Sequence, residues 1–160
     1  MGLSEKQTSA LTTILGKLDN GKLEWALTGG ASFILQGLDY NTSDIDIQCS
    51  KESAYEIENI FSKYVVEEVH PWETEKMRSH FGRLKIDNVE VEVMGAVQKK
   101  VNGDWEEPVD VSEKLTTVDY KNFQAPVLNL QYEAEAYEKL GRNEKANRLR
   151  ELAERDINLA

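Results

Sequence analysis

Apolar residues recur along this chain with two different periods, and the two periods separate helices from strands. Spacings of three and four residues predict helices, at residues 4–18, 31–38, 53–61, 126–140 and 144–156. Short apolar or alternating runs predict strands, at residues 25–28, 44–47, 64–69, 81–86 and 89–94. This mixture predicts an α+β fold of two layers. We expect a mixed central sheet of about five strands, flanked by helices and followed by a C-terminal helical hairpin.

Glycine, proline and asparagine mark the expected ends of these elements. Asn20 and Gly21 end the first helix, and Asp87-Asn88 predicts a tight hairpin turn, because such a pair tolerates positive φ. Pro71 is expected to end the strand at 64–69, with a loop over 73–79, because proline cannot donate to a strand ladder. Pro126 is expected to begin a helix that stops at Gly141. A second hairpin-like excursion is predicted at residues 98–111, and residues 118–123 receive no assignment.

The size and charge of the chain restrict its class. Its 160 residues suit one core, and we divide them into a domain at 1–125 and a helical appendage at 126–160 packed on that domain. The formal net charge of −10 opposes attraction to a polyanion, so nucleic acid is an unlikely partner. One cysteine, Cys49, and no apolar run of membrane-spanning length favour a cytoplasmic protein with no membrane association.

The segment 27–49, LTGGASFILQGLDYNTSDIDIQC, contains the residues best suited to chemistry. Gly29 and Gly30 stand between a predicted strand and a predicted helix. Glycines there allow positive φ and close approach of a ligand, and a helix start presents free N–H groups. Such a place suits a phosphate.

Two aspartates follow in an alternating strand pattern. Asp44 and Asp46 share one face of the predicted strand, while Ile45 and Ile47 face the opposite side, toward a core. Neighbouring carboxylates repel each other unless a cation lies between them. A hard divalent ion such as Mg²⁺ prefers these oxygen ligands and also binds nucleotide phosphates.

Together, Gly29-Gly30, a spacer of thirteen residues (31–43) and the acid-apolar-acid-apolar run 44–47 resemble the signature of the nucleotidyltransferase superfamily related to polymerase beta. The resemblance covers residues 23–95. It implies a nucleotidyltransferase-like fold, a nucleotide contacted by Gly29, Gly30 and Ser32, and a divalent ion held by carboxylates.

The resemblance also implies a third carboxylate on a later strand of the same sheet. The strand at 89–94 carries Glu90 and Glu92 on one face. Glu92 is our choice because it stands in mid-strand, followed by Val93-Met94-Gly95, where the resembling sequences place an acid between hydrophobic residues. Glu90 stays open because a register slip of two keeps the same face. Asp44, Asp46 and Glu92 are therefore the expected catalytic and metal-binding residues.

The activity implied is transfer of a nucleoside monophosphate, AMP from ATP, to a hydroxyl group of a small molecule or a protein, with Mg²⁺ or Mn²⁺. The closest branch in this resemblance is that of the aminoglycoside- and lincosamide-adenylylating enzymes. The alternative is an inactive nucleotide-binding or antitoxin-like interaction protein on the same fold. A homodimer stays open, because one subunit of so short a chain could complete the cleft of another.

The remaining polar candidates carry weaker signals. His70 and His80 have no second histidine or cysteine at metal-ligand spacing, so we interpret them as ordinary loop residues. A substrate contact by His80 or Arg83 stays open. Lys99 and Lys100 are interpreted as exposed cations rather than phosphate ligands.

Overall fold

The structure is a computed structural model that describes residues 2–19 and 21–159, the last four of them by their backbone alone. Among these residues six α-helices form, in agreement with the predicted class: α1 Glu5–Leu18, α2 Gly29–Leu35, α3 Lys51–Ile60, α4 Val111–Lys114, α5 Leu130–Lys139 and α6 Asn143–Leu159. Eight strands form: β1 Trp25–Thr28, β2 Ile45–Cys49, β3 Val65–Glu73, β4 Met77–Ile86, β5 Val89–Val101, β6 Asp104–Trp105, β7 Leu115–Tyr120 and β8 Phe123–Leu128. Within the described part of the chain, no helix is long and apolar enough to cross a bilayer.

The strands form one open mixed sheet in the order β3-β4-β5-β2-β1-β8-β7, and β6 pairs with the end of β5. Strand β2 lies between an antiparallel neighbour, β1, and a parallel neighbour, β5. The predicted α+β class with a mixed sheet is confirmed, whereas the predicted number of about five strands is too low. The central position of β2 fixes its side chains from both sides.

One surface of the sheet, the back face, carries the main core. Inward residues of α1, such as Leu11 and Leu15, and of α3, such as Ile57, pack there against the buried residues of β2 and β5. In β2 the buried positions alternate with half-buried ones, which are Asp46 and Gln48. The opposite surface, the front face, therefore receives the polar residues of the same strands.

The C-terminal helices cover only part of the front face. Leu128 and Ala26 form a small apolar cluster there with Val111, against which Tyr132 of α5 packs. A further cluster joins Phe33 of α2 to Ala134 of α5 and Leu149 of α6. Helices α5 and α6 thus pack beside β1 and α2. The division at residues 125 and 126 stays a prediction, and both of these residues lie within β8.

Three predictions around prolines and glycines are wrong. Strand β3 continues through Pro71 as far as Glu73, and β4 begins at Met77 instead of following a long loop. Pro71 is tolerated because β3 is an edge strand, where one missing N–H leaves no neighbour unpaired. The second helix ends at Leu35, three residues early, and Gly37 then turns with φ of 93°.

A helix forms within the predicted range 126–140, but its expected start at Pro126 is wrong. Pro126 lies in β8 opposite Thr117 of β7, and helix α5 begins four residues later behind the N-cap Asn129. The missing N–H of Pro126 is tolerated because β8 pairs with β1 only at Leu27 and Val127. Of the unassigned residues 118–123, the first three belong to β7, the next two form a turn, and Phe123 begins β8.

The two predicted hairpins both form, but they differ in length. Asp87 and Asn88 turn with φ of 50° and 69°, as expected, between β4 and β5. The turn at Asn102-Gly103 leads only into the two-residue strand β6. The turn at Asn20 lies outside the described residues.

A bulge in β5 decides which side chains reach the front face. Between two register pairs, Arg78–Gln98 and His80–Gly95, β5 contains one residue more than β4, and Ala96 has φ of 53°. An extra residue reverses the alternation of the following side chains. As a result Lys99, seven residues after Glu92, points toward α5 on the front face.

Candidate active site

Asp46 and Glu92 meet on the front face. They lie directly opposite each other in the parallel register of β2 and β5, and their carboxyl groups are hydrogen-bonded to each other. The alternation of β2 and β5 produces this meeting, because Ile45, Ile47, Val91 and Val93 occupy the core on the other side. Two acids brought together on adjacent strands can share one proton or one cation.

The pKa values of Asp46 and Glu92 reflect the burial of these acids and their proximity to other charges. Burial, followed by the negative charges of Glu92 and Asp44, raises the pKa of Asp46 to about 7. Burial also raises the pKa of Glu92, although the nearby Arg83 guanidinium opposes that shift. The site thus holds a proton near neutral pH, in the position that a cation could take.

Asp44 stands just before β2, and its position is fixed through its backbone. Its negative charge acts on both Asp46 and Glu92, and its carboxylate accepts a hydrogen bond of 3.3 Å from Ser43. From behind, the side-chain amide of Gln7 donates to the backbone carbonyls of Thr42, at 2.9 Å, and of Asp44, at 3.5 Å. Helix α1 therefore holds the loop that carries Asp44.

The two glycines make room for neighbouring side chains of the site. A Cβ on Gly29, where φ is 70°, would come within 2.7 Å of the Asp46 Oδ2 atom. A Cβ on Gly30 would come within 2.5 Å of the Thr42 Cβ atom. The glycine turn therefore lets the Asp46 carboxylate lie against the backbone, while a phosphate contact at Gly29 and Gly30 stays a prediction.

Ser32 lies inside the turn and is fully buried. Its hydroxyl donates to the carbonyl of Gly29 at 2.9 Å. This hydrogen bond stabilises the turn, and a direct contact of Ser32 with a nucleotide stays a prediction.

Glu90 occupies a different environment from Glu92. It forms an ion pair with Arg83 at 3.5 Å, whereas Glu92 lies opposite Asp46. Arg83 also approaches Glu67 of β3 at 3.6 Å. The geometry therefore favours Glu92 over Glu90 as the partner of the aspartates.

The three carboxylates are chemically suited to bind a divalent ion, although they do not form a complete metal site in this structure. Asp44, Asp46 and Glu92 supply only carboxylate oxygens, the ligands that Mg²⁺ prefers. Among the side chains described, those of residues 2–19 and 21–155, no three His, Cys, Asp or Glu converge as a ready metal cage. Asp46 and Glu92 are in contact, and the negative charge of Asp44 acts on both.

One cation of helix α6, Lys145, lies near Asp46. Asp46 and Lys145 interact electrostatically, and the Lys145 ammonium lies 4.8 Å from the centre of the Tyr137 ring. Lys145, Tyr137, Phe33 and Tyr40 line a cavity of about 220 Å³ together with Arg148. This cavity combines aromatic walls with the positive charges of Lys145 and Arg148 and the negative charge of Glu144.

The histidines lie away from the acids and in strands rather than loops, which corrects the expected placement. His70 binds Glu67 of the same strand through its Nε2 atom at 2.7 Å. His80 is hydrogen-bonded to Tyr55 of α3 at 2.9 Å. The first contact lies within one strand, whereas the second joins β4 to α3.

The two lysines at the end of β5 differ from each other. Lys100 is exposed, and its Nζ atom lies 5.3 Å from the centre of the Trp105 ring. Lys99 is 4% exposed and donates to the Tyr132 hydroxyl at 2.9 Å. The prediction that Lys99 is an exposed cation is therefore wrong, because the bulge at Ala96 turns it inward.

A fourth acid near the site, Glu133 of α5, is buried and was not predicted from the sequence. Its carboxylate accepts hydrogen bonds from the Thr28 hydroxyl and from the Gly29 amide. A signal for it existed, because Glu133 falls at helical spacing between Leu130 and Tyr137, within the apolar stripe of α5. The pattern Ser4-x-x-Gln7, a capping box, could likewise have marked Gln7 as fixed.

The sheet order and the strand-borne acids can be compared with known proteins. The fold is that of the nucleotidyltransferases, and the sequence profile of the aminoglycoside-2''-adenylyltransferases matches residues 10–154. The chain belongs to this family of enzymes. Among solved structures, a Thermotoga maritima protein (TM1012), described as a candidate nucleotidyltransferase, shares 46% identity over 91% of each chain, with a TM-score of 0.80.

Two more distant structures show the same fold. The lincosamide antibiotic adenylyltransferase LnuA, solved with lincomycin, is 19% identical over 83% of this chain and 85% of its own, with a TM-score of 0.54. ANT(2'')-Ia, solved with adenylyl-2''-tobramycin, is 15% identical over 82% of this chain and 74% of its own, with a TM-score of 0.56. No curated protein sequence gives a significant match.

Proposed function

We propose that this protein transfers AMP from ATP to a hydroxyl group of an acceptor, with Mg²⁺ or Mn²⁺ bound by Asp44, Asp46 and Glu92. The observation that carries the proposal is the contact between the Asp46 and Glu92 carboxyl groups, with Asp44 acting on both. When bound, a divalent ion at this place would neutralise charge on the phosphates and the attacking oxygen.

The residues around the acids have separate tasks in this proposal. Lys145, which faces Asp46, would bind the triphosphate by charge. Glu92, whose pKa is raised, would take the proton of the acceptor hydroxyl. The acceptor oxygen then bonds to the α-phosphorus, the bond from that phosphorus to the bridging oxygen breaks, and pyrophosphate leaves.

The acceptor site that we propose begins at Arg83, the neighbour of Glu92 on β4. The Arg83 guanidinium lies 5.4 Å from the centre of the Phe81 ring, and that ring packs at 5.8 Å on Trp72. Trp72 opens into a cavity of about 520 Å³ whose other wall is Leu140, Gly141 and Arg142. That size suits a small organic molecule, as in the named antibiotic-bound relatives, and a protein acceptor remains an alternative.

Transfer of label from ATP labelled at the α-phosphate tests the proposal, with candidate small-molecule hydroxyl compounds as acceptors. We expect wild-type protein to transfer label and Asp46→Asn to lose at least about a thousandfold in rate, since the ion is no longer held. Glu135→Gln is the matched control, because Glu135 is exposed on α5 and accepts a hydrogen bond from Gln131 of the same helix. Equal rates for Asp46→Asn and wild type would contradict the assignment.

Mn²⁺ supplies a test that needs no acceptor. An ion that binds only the folded protein raises its unfolding free energy by about 2.7 kcal/mol at a hundred times the dissociation constant. We expect this shift in wild type and its loss in Asp46→Asn, measured as a change in melting temperature. The absence of any shift in wild type would remove the ion from the proposal.

A second function, nucleotide binding without turnover, is favoured by one observation. In the described residues the three carboxylates are not yet converged on a single point. An interaction protein of this kind would show ATP binding in calorimetry without pyrophosphate release. A homodimer and a cytoplasmic location are further predictions, and sedimentation velocity decides the first.

A further inference from the structure

Glu133 is a buried acid that the reaction outlined above does not use. It is the fourth residue of α5, and its exposed fraction is 5%. A carboxylate at this depth is costly unless its oxygens are bonded. Here they accept the hydroxyl of Thr28 and the amide of Gly29, at the junction of β1 and α2.

Both hydrogen bonds are made to the turn that faces Asp46. Thr28 is the register partner of Asp46 on the neighbouring strand, and the Cα of Gly29 borders the Asp46 carboxylate. Gly29 is therefore placed between two acids: its N–H is held by Glu133, and its missing side chain makes room for Asp46. Any shift of Gly29 changes the surface against which Asp46 lies.

Cations from two other elements offset the charge of Glu133. Lys99 of β5 and Lys145 of α6 both favour its ionised form, while burial raises its pKa to about 7. Lys99 is itself buried and held by Tyr132, the residue before Glu133. The acid is thus embedded in contacts that join β1, β5, α5 and α6.

We propose that Glu133 is a positioning residue for nucleotidyl transfer: by holding Thr28 and Gly29, it fixes the place of Asp46 in the reactive centre. The inference rests on the proposed function. Helix α5 then contributes to the active site, because its residue Glu133 positions Asp46 through Gly29.

A structural role alone would lower stability and leave turnover of the folded molecules unchanged. A positioning role predicts a loss in kcat with little change in the KM for ATP, because Glu133 touches no substrate. Misplacement of a reacting group by about 1 Å can cost about a hundredfold in rate. Separate measurement of kcat and of the KM for ATP therefore distinguishes the two roles.

The test compares Glu133→Ala, Glu133→Gln and the control Glu135→Ala. We expect Glu133→Ala to lose about 10- to 100-fold in kcat, with KM for ATP within about threefold of wild type. Glu133→Gln should recover most of the rate, because its amide oxygen can accept from Gly29 while its amide nitrogen donates to Thr28. Glu135→Ala should match wild type.

Hydrogen exchange of the Gly29 amide supplies a readout that does not depend on turnover. We expect slow exchange in wild type and Glu133→Gln, and fast exchange in Glu133→Ala. If Glu133→Ala does not fold, Glu133→Asp replaces it, because the shorter side chain cannot hold both contacts.

Two results would overturn the inference. One is a folded Glu133→Ala, or its Asp substitute, with kcat within about twofold of wild type; the other is fast exchange of Gly29 in wild type. A wild-type protein that transfers no label defeats the proposed function instead, and the exchange experiment still decides whether Glu133 holds the turn.

Discussion

The two faces of β2 and β5 are formed by alternate residues of the same two strands, yet they have different roles. On the back face Ile45, Ile47, Val91 and Val93 are buried in the main core. On the front face Asp46 and Glu92 meet, half-buried and hydrogen-bonded. Burial stabilises the strands from behind, so the strands can hold two mutually repelling acids in front. We therefore expect substitutions to separate by face, the front affecting turnover and the back affecting stability.

The largest effect is expected at the front face, where Glu92 and Glu90 can be compared two residues apart. Glu92→Gln should reduce label transfer by about a thousandfold, or about 4 kcal/mol in barrier, because Glu92 is the acid that meets Asp46. Glu90→Gln should stay within about fivefold, since Glu90 mainly pairs with Arg83. The reverse order in single-turnover rates would move the third carboxylate to Glu90.

On the back face, Ile47→Ala should lower the unfolding free energy by about 2–5 kcal/mol, because it leaves a cavity in the core. Urea denaturation measures the change. Turnover per folded molecule should equal that of wild type, and Ile47→Val, with a cost of about 1 kcal/mol, is the graded control. A large fall in turnover at full folding would break the separation of the two faces.

Gly29 lies against Asp46 and has a positive φ, so Gly29→Ala should lower both label transfer and stability. The added Cβ meets Asp46 Oδ2 at 2.7 Å in a backbone with φ of 70°, and we expect a loss of about 2 kcal/mol in stability together with reduced transfer. Gly37→Ala is the matched control, since its φ is also positive but no atom lies within 4 Å of the new Cβ. Equal behaviour of the two variants in denaturation and transfer would rule out the Asp46 contact as the cause.

The smallest effect expected is a pH dependence of stability caused by Glu133. Its pKa rises on folding from 4.5 to about 7, so the folded state retains a proton that the unfolded state releases. The contribution of Glu133 is then fully present below pH 4.5 and is lost as pH rises to about 7. Asp46, with its own raised pKa, contributes with the same sign, while Lys99 and Lys145 offset the charge of Glu133.

Urea titrations between pH 4.5 and 8 compare wild type with Glu133→Gln. The variant should show a decline that is smaller by on the order of 1–2 kcal/mol. Identical declines would mean that Glu133 ionises in the folded protein as it does in the unfolded chain.

The sequence was sufficient for the elements whose periods are clear. Alternation at 44–47 and 89–94 predicted the strands that carry Asp46 and Glu92, because the core requires every second residue to be apolar. The helical spacing of Leu11, Ile14 and Leu15 predicted α1 for the same reason. Pairing of β2 with β5 came from the family resemblance rather than from any local pattern.

The elements that sequence analysis missed depend on neighbours far along the chain. Strand β7 is mostly exposed or half-buried, so Leu115–Tyr120 has no apolar stripe that could reveal it. Pro126 has a helix-start sequence context, but pairing with β7 decides its conformation. Glu133 and Lys99 were missed because their burial depends on a helix and a bulged strand that meet only in the folded protein.

The place of β8 in the sheet affects the order in which the protein can fold. Leu27 and Val127 are paired although they lie 100 residues apart in the sequence. During synthesis β1 therefore leaves the ribosome long before this neighbour exists, and one of its edges stays open while the intervening strands form. Contacts over such separations form slowly, so completion of the sheet beside the glycine turn is expected late, once nearly the whole chain is available.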